Sequence, residues 1–104
     1  MMFGIGIYRR GEQPGTLTAE WLDDRMVDAG APAGTGFARN GPERGFVGDY
    51  DITYKAGDQI VDLKLNIRAE GPNFRMQWLK DGTLIDQGIA FQTGDCLILG
   101  YQST

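Results

Sequence analysis

The sequence predicts an all-β domain of about eight antiparallel strands, closed into a small barrel or, as the alternative, folded into a two-sheet sandwich. Three observations carry this. Over IVDLKLNIR, Val61, Leu63, Leu65 and Ile67 alternate with Asp62, Lys64, Asn66 and Arg68, a period of two that a strand with one buried face requires and a helix does not keep. Sixteen glycines against four prolines supply many tight turns. The chain also writes one pattern twice: LTAEWLDDRMVDAGAPAGTGFA at 17–38 and FRMQWLKDGTLIDQGIAF at 74–91 each run from an alternating apolar stretch through Trp-Leu and acidic residues to glycine and small residues.

The elements follow in order. Phe3, Ile5 and Ile7 share one face of a first strand, Gly11 to Gly15 turn the chain, and Leu17, Ala19 and Trp21 share a face of the second. Any helical turn falls between Asp23 and Ala29, and Gly36-Phe37-Ala38 belongs to a third strand before the glycine-rich bridge RNGPERGFVG. Tyr50, Ile52 and Tyr54 alternate with Asp51 and Thr53, and KAGDQ turns this strand into IVDLKLNIR. Phe74, Met76 and Trp78 form the next strand. Asp81-Gly82 then supplies the positive φ angles of a type I′ turn, which sets Trp78 opposite Ile85 and Phe74 opposite Ile89. CLILGYQ is the last strand. Three strands plus five make eight, and closing them pairs the first run, Phe3 to Arg9, with the last, Cys96 to Tyr101, which disposes of exposed edges.

At 104 residues the chain is one domain, 1–104, with an internal repeat over 3–39 and 48–101. Aligning Trp21 with Trp78 places Leu17 on Phe74, Ala19 on Met76 and Leu22 on Leu79. Repeated units of this kind bury a shared core against each other. The second copy, GDYDITYKAGDQIVDLKLNIRAEGPNFRMQWLKDGTLIDQGIAF, resembles a repeat of bacterial proteins without assigned function: Gly-x-Tyr-x-Ile, a turn, an alternating strand, Trp, then Gly-Ile-Ala. Gly48, Tyr50, Ile52, Trp78, Gly88, Ile89 and Ala90 match it. The resemblance implies a lipocalin-like or avidin-like meander and no particular ligand, and a lipocalin's Gly-x-Trp start is missing.

Composition narrows the function. A net charge of -4 disfavours broad contact with a phosphate backbone, so no nucleic-acid partner is expected. MMFGIGIYRRG has neither the basic start nor the cleavage site of a signal peptide. No stretch approaches the roughly 20 apolar residues of a spanning helix. A soluble, cytoplasmic protein without membrane contact is the expectation. The chain has no histidine, so Cys96, alone in an apolar run, lacks a base to activate it and reads as a buried, inert thiol.

Gly4-Ile5-Gly6 and Gly34-Thr35-Gly36 each lack the third glycine and following helix of a dinucleotide loop, and read as turns or close-packed strand positions. Asp23, Asp24 and Asp28 lack the spacing of a calcium loop and read as solvated carboxylates. No catalytic residue, cofactor or metal site is expected.

Binding remains. Trp21, Tyr50, Tyr54, Phe74 and Trp78 are the candidate lining of a ligand pocket in a barrel mouth, set against the alternative that they only fill the core. The function read from the sequence is therefore a non-catalytic binding domain for a small hydrophobic ligand. The alternative is a protein interaction or regulatory module. CLILGY is apolar on both faces, with Cys96 and Ile98 on one and Leu97, Leu99 and Tyr101 on the other, so one side asks for a cover. Leu97, Leu99 and Tyr101 are the candidate interface of a homodimer, whose second chain would complete the edges of the shorter half.

Overall fold

A computed structural model describes residues 1–104 as β1 (Phe3–Arg10), β2 (Leu17–Asp23), α1 (Asp24–Asp28), β3 (Gly34–Arg39), β4 (Gly48–Ala56), β5 (Gln59–Glu70), β6 (Asn73–Lys80), β7 (Thr83–Thr93) and β8 (Cys96–Ser103). Each strand pairs antiparallel with the next. β1 pairs with β8, from Phe3 opposite Gln102 to Arg9 opposite Cys96, and closes the sheet into an eight-stranded up-and-down barrel. The barrel prevails over the sandwich, and the terminal strands meet as the edge argument requires. Closure also removes the incomplete edges on which the dimer expectation rested, since every strand has two partners.

Strand residues alternate between an interior that side chains fill and an outer face, as in any small barrel. Leu17, Ala38, Ile52, Leu65, Ile67, Met76, Ala90 and Leu97 form the buried middle. On β1 the inward residues are Gly4, Gly6 and Tyr8, whereas Phe3, Ile5 and Ile7 look outward, Ile5 with 62% of its surface exposed. The apolar face of that strand is thus the outer one. Neighbouring side chains decide this: Leu99 packs against Gly6 and Tyr101 against Gly4, and a larger inward residue at either position would displace them.

Antiparallel order gathers the connections at two ends. Segments 11–16, 40–47, 71–72 and 94–95 lie at one; α1, the loop to β3, the turns at 57–58 and 81–82 and both chain termini lie at the other. The first end is sealed. Phe46 is buried there, its carbonyl accepts a hydrogen bond from the Tyr50 hydroxyl at 2.7 Å, and the Arg10 guanidinium donates to the carbonyls of Pro42 (3.2 Å), Glu43 (2.6 Å) and Gly45 (2.6 Å). Gly15, at φ +79°, hands its carbonyl to the Gly41 amide at 2.9 Å and ties the two loops together.

At the β6–β7 turn, Asp81 and Gly82 both have positive φ, as a type I′ turn demands. The register beyond it departs from the expected one. Leu79 faces Leu84, but Trp78 faces Asp86 and Phe74 faces Ala90, because Ile85 is an extra residue in a β-bulge. That shift turns Asp86 inward, and Trp78 and Phe74 lose the expected pairing with Ile85 and Ile89.

Candidate functional site

The open end holds a cavity of about 220 Å³ whose lining includes Tyr8, Trp21, Tyr54, Trp78, Asp86 and Tyr101. Five strands therefore contribute aromatic side chains to one place. Four of these rings stand against glycines. A Cβ on Gly34 would come within 2.6 Å of the Trp21 ring, one on Gly36 within 2.9 Å of Tyr54, and one on Gly88 within 3.3 Å of Trp78; Tyr101 lies over Gly4. Three of the four glycines in the two Gly-x-Gly pairs, Gly4, Gly34 and Gly36, are thus seats for aromatic rings on inward strand positions, and Gly6 seats Leu99. Trp21 meets Tyr54 edge to face, with centroids 5.6 Å apart, and Trp78 meets Tyr101 at 5.5 Å and 51°.

A polar chain runs through these rings. The Trp78 indole donates to the Tyr54 hydroxyl at 2.5 Å, and the Tyr54 and Tyr8 hydroxyls bond to each other. One of the two hydroxyl hydrogens closes the tyrosine pair, which leaves the other free to donate to whatever oxygen occupies the cavity. Burial raises the pKa of Tyr8, Tyr54 and Tyr101 well above the ordinary tyrosine value, the Tyr8 hydroxyl adding to the effect at Tyr54 and the Asp23 carboxylate at Tyr101. All three are neutral donors and acceptors at physiological pH. The Trp21 indole is directed to the carbonyl of Thr35 at 3.0 Å.

Acidic groups border the rings. Asp23 is 4% exposed; its Oδ1 accepts the Met26 amide at 2.8 Å as the N-cap of α1, and its Oδ2 meets the Arg25 guanidinium at 3.3 Å. Asp24 Oδ1 accepts the Phe3 amide at 3.2 Å. The solvated-carboxylate reading fails for this pair, which anchors the helix and the first strand. Asp86 takes part in none of the four ion pairs. Its pKa is raised by desolvation, which Arg25 opposes in part and Asp23 reinforces more weakly. No buried side-chain nitrogen or oxygen lacks a hydrogen-bond partner, so the Asp86 oxygens are open to the cavity rather than sealed.

Of the five candidate pocket residues, Trp21, Tyr54 and Trp78 come together here. Tyr50 does not: it lies at the sealed end, occupied by the Phe46 carbonyl. Phe74 packs against the core near the same end, at the start of β6. Tyr8, Tyr101, Asp23, Arg25 and Asp86 belong to the mouth and were missed. Tyr8 follows two inward glycines that read as the weaker face of β1, Tyr101 was assigned to the outer surface, and Asp86 points inward only through the bulge.

The interface residues require correction. Leu97 and Leu99 fill the barrel at 0% and 3% exposure, and Tyr101 lines the mouth, so the inward face of β8 is the one named for the interface. The outward face carries Cys96, Ile98 and Gly100. Cys96 is accordingly half-buried rather than a core thiol. Gly100 stands between Ile5 and Ile89, which together with Phe91 and Ile98 form an outer apolar groove.

No group of three or more His, Cys, Asp or Glu side chains is placed to hold a metal ion, and no helix is long and apolar enough to cross a membrane. Compared with family models, curated proteins and solved structures, the chain matches none.

Proposed function

We propose that this chain is a non-catalytic binding domain that takes a small, largely apolar ligand into the open end of its barrel. The observation that carries the reading is the asymmetry of the two ends. One is stoppered by Phe46 and laced by Arg10, whereas the other leaves an aromatic cavity open with a hydroxyl hydrogen unspent. Concave, mostly apolar sites with a few convergent polar groups are the usual form of small-molecule sites, and barrel mouths are a common place for them. At about 220 Å³ the cavity is below the roughly 300–1,000 Å³ of drug-sized sites, so the ligand is the size of a fragment. Trp21 and Trp78 report on it directly. A library of small aromatic compounds should yield members that change tryptophan emission and raise the melting temperature in proportion to ligand concentration. A library that produces neither effect on folded protein would reject the reading.

A second reading, self-association through the outer face of β1, β8 and β7, is favoured by one observation. Phe3 and Ile5 on β1 and Ile89 and Phe91 on β7 are exposed on the two strands that flank β8, an apolar surface of the kind that marks contact sites. Sedimentation decides it: a dimer that Ile89→Lys converts into a folded monomer supports this reading, and a wild-type monomer at tens of micromolar, about the upper range of useful protein affinities, removes it.

A further inference from the structure

The geometry points to a small organic cation, an ammonium group on an aromatic or apolar body, as the ligand class of the open end. This rests on the binding reading above and adds the sign of the charge. Three features of the mouth combine. The walls are the rings of Trp21, Tyr54, Trp78 and Tyr101, arranged in an edge-to-face pair and a tilted pair, so that rings of different orientation border the same space. Electron-rich faces at differing angles are what an ammonium ion prefers over a neutral group of the same shape. The second feature is charge. Asp23 and Arg25 neutralise each other at 3.3 Å, Tyr8 and Tyr101 are uncharged, and β6 brings no ionisable group into the lining. Asp86 is therefore the one charge facing the cavity without a partner, and it is negative.

The third feature is how Asp86 comes to be there. Were Ile85 paired regularly opposite Trp78, alternation would carry Asp86 to the outer face opposite Gln77, where water would solvate it. The bulge brings it in opposite Trp78, at a desolvation cost that its raised pKa records. Arg25, bonded to Asp23 and mostly in solvent, offsets only part of that cost, since the pKa stays raised, and a bound cation would offset more. An anionic ligand would meet two carboxylates, Asp23 and Asp86, against the single guanidinium of Arg25, which engages Asp23 and lies mostly in solvent.

The test compares three molecules of one shape by calorimetry or tryptophan emission at neutral pH: benzylamine as its ammonium ion, benzyl alcohol and benzoate. The ammonium ion should bind at least about ten-fold more tightly than benzyl alcohol, with benzoate weakest, and Asp86→Asn should bring the first two within about three-fold of each other. Asp86→Asn keeps the side-chain volume and removes the charge, and a cooperative melting curve is the check that the fold is retained. Equal or tighter binding of benzyl alcohol by the wild-type chain would overturn the cation assignment while leaving the binding reading standing. Preferential ammonium binding that survives Asp86→Asn would overturn the role of the bulge. Binding of none of the three at millimolar concentration would overturn the cation assignment, with the wider library then judging the binding reading by itself.

Discussion

Tyr50 and Tyr54 stand four residues apart on the inward face of β4, and the barrel uses them in opposite ways. Tyr50 closes its end. Its hydroxyl is spent on the Phe46 carbonyl, its ring packs on Gly41, and the loop it holds is fastened again by three hydrogen bonds from Arg10. Tyr54 belongs to a network of three polar groups with a hydrogen to spare, beside an acid without a partner. The same residue type on one strand is structural where a loop arrives to cover it and available where none does. The difference lies in the connections: 40–47 folds across one end, whereas at the other the 57–58 and 81–82 connections are two-residue turns and the 24–33 connection keeps α1 packed against β2 at the rim.

Substitutions that separate stability from binding sharpen this contrast. The largest effect should come from Phe46→Ala, which empties the stopper of the sealed end and should cost about 3–5 kcal/mol by lost transfer energy and cavity formation. Ligand affinity should change little once measured on the folded fraction; a matching loss of affinity would mean that the two ends are not independent. Next is Gly34→Ala at the open end. Its Cβ would meet both the Trp21 ring at 2.6 Å and the Lys55 carbonyl at 2.7 Å, and the backbone atom has little room to yield, so a loss of about 1–3 kcal/mol is expected together with a changed tryptophan emission. Unchanged emission would place Trp21 elsewhere. Tyr54→Phe removes the acceptor of the Trp78 indole and the partner of Tyr8, and should cost about 1–2 kcal/mol in denaturant melts while abolishing the ligand response.

The smallest effects are those of pH. Tyr8, Tyr50, Tyr54 and Tyr101 all have pKa values raised above 10.0 by burial, so the folded chain holds these protons more tightly than the unfolded one. Their contribution is complete below pH 10 and is lost as pH rises beyond it. Tyrosinate absorbance should therefore appear together with alkaline unfolding, and a separate titration in folded protein would contradict the burial. Asp86 is also raised, above 3.8, and the sign is the same: the folded state binds the proton better, and stability falls as pH climbs from 3.8 through the folded value. Asp51, held down by Lys64 and Asn40, acts in the opposite direction, so the wild-type curve mixes the two. The stability of Asp86→Asn minus that of the wild type isolates the effect and should be near zero in acid and slightly positive at neutral pH.

The strands and the closure were legible because they depend on period and turn chemistry, which neighbouring residues carry. IVDLKLNIR and Asp81-Gly82 state their own conformation. What was not legible depends on contacts across the barrel. The outward turn of Phe3, Ile5 and Ile7 follows from Tyr101 and Leu99, some ninety residues away, needing the space that Gly4 and Gly6 leave. The same limitation placed Leu97 and Leu99 on the wrong side, since a strand apolar on both faces does not say which one is inside. Trp21, Tyr54 and Trp78 were found as a group because they are aromatic at inward-reading positions. Asp86 escaped because a single inserted residue reverses the face of everything beyond it.

Closure at the β1–β8 seam also sets the order in which the molecule can assemble. Seven of the eight pairings join strands adjacent in the chain, the longest connections being 24–33 and 40–47, whereas the seam joins positions up to 101 residues apart, as Met2 to Ser103. Short hairpins form on a microsecond scale, about 1–10 μs, and the seam cannot form until most of them exist. Its contacts should then be largely absent from the folding transition state. Weakening them, for instance by Gly6→Ala against Leu99, should leave the folding limb of a denaturant chevron nearly unchanged and raise the unfolding limb, so that the lifetime of the native barrel is governed by its last-made joint.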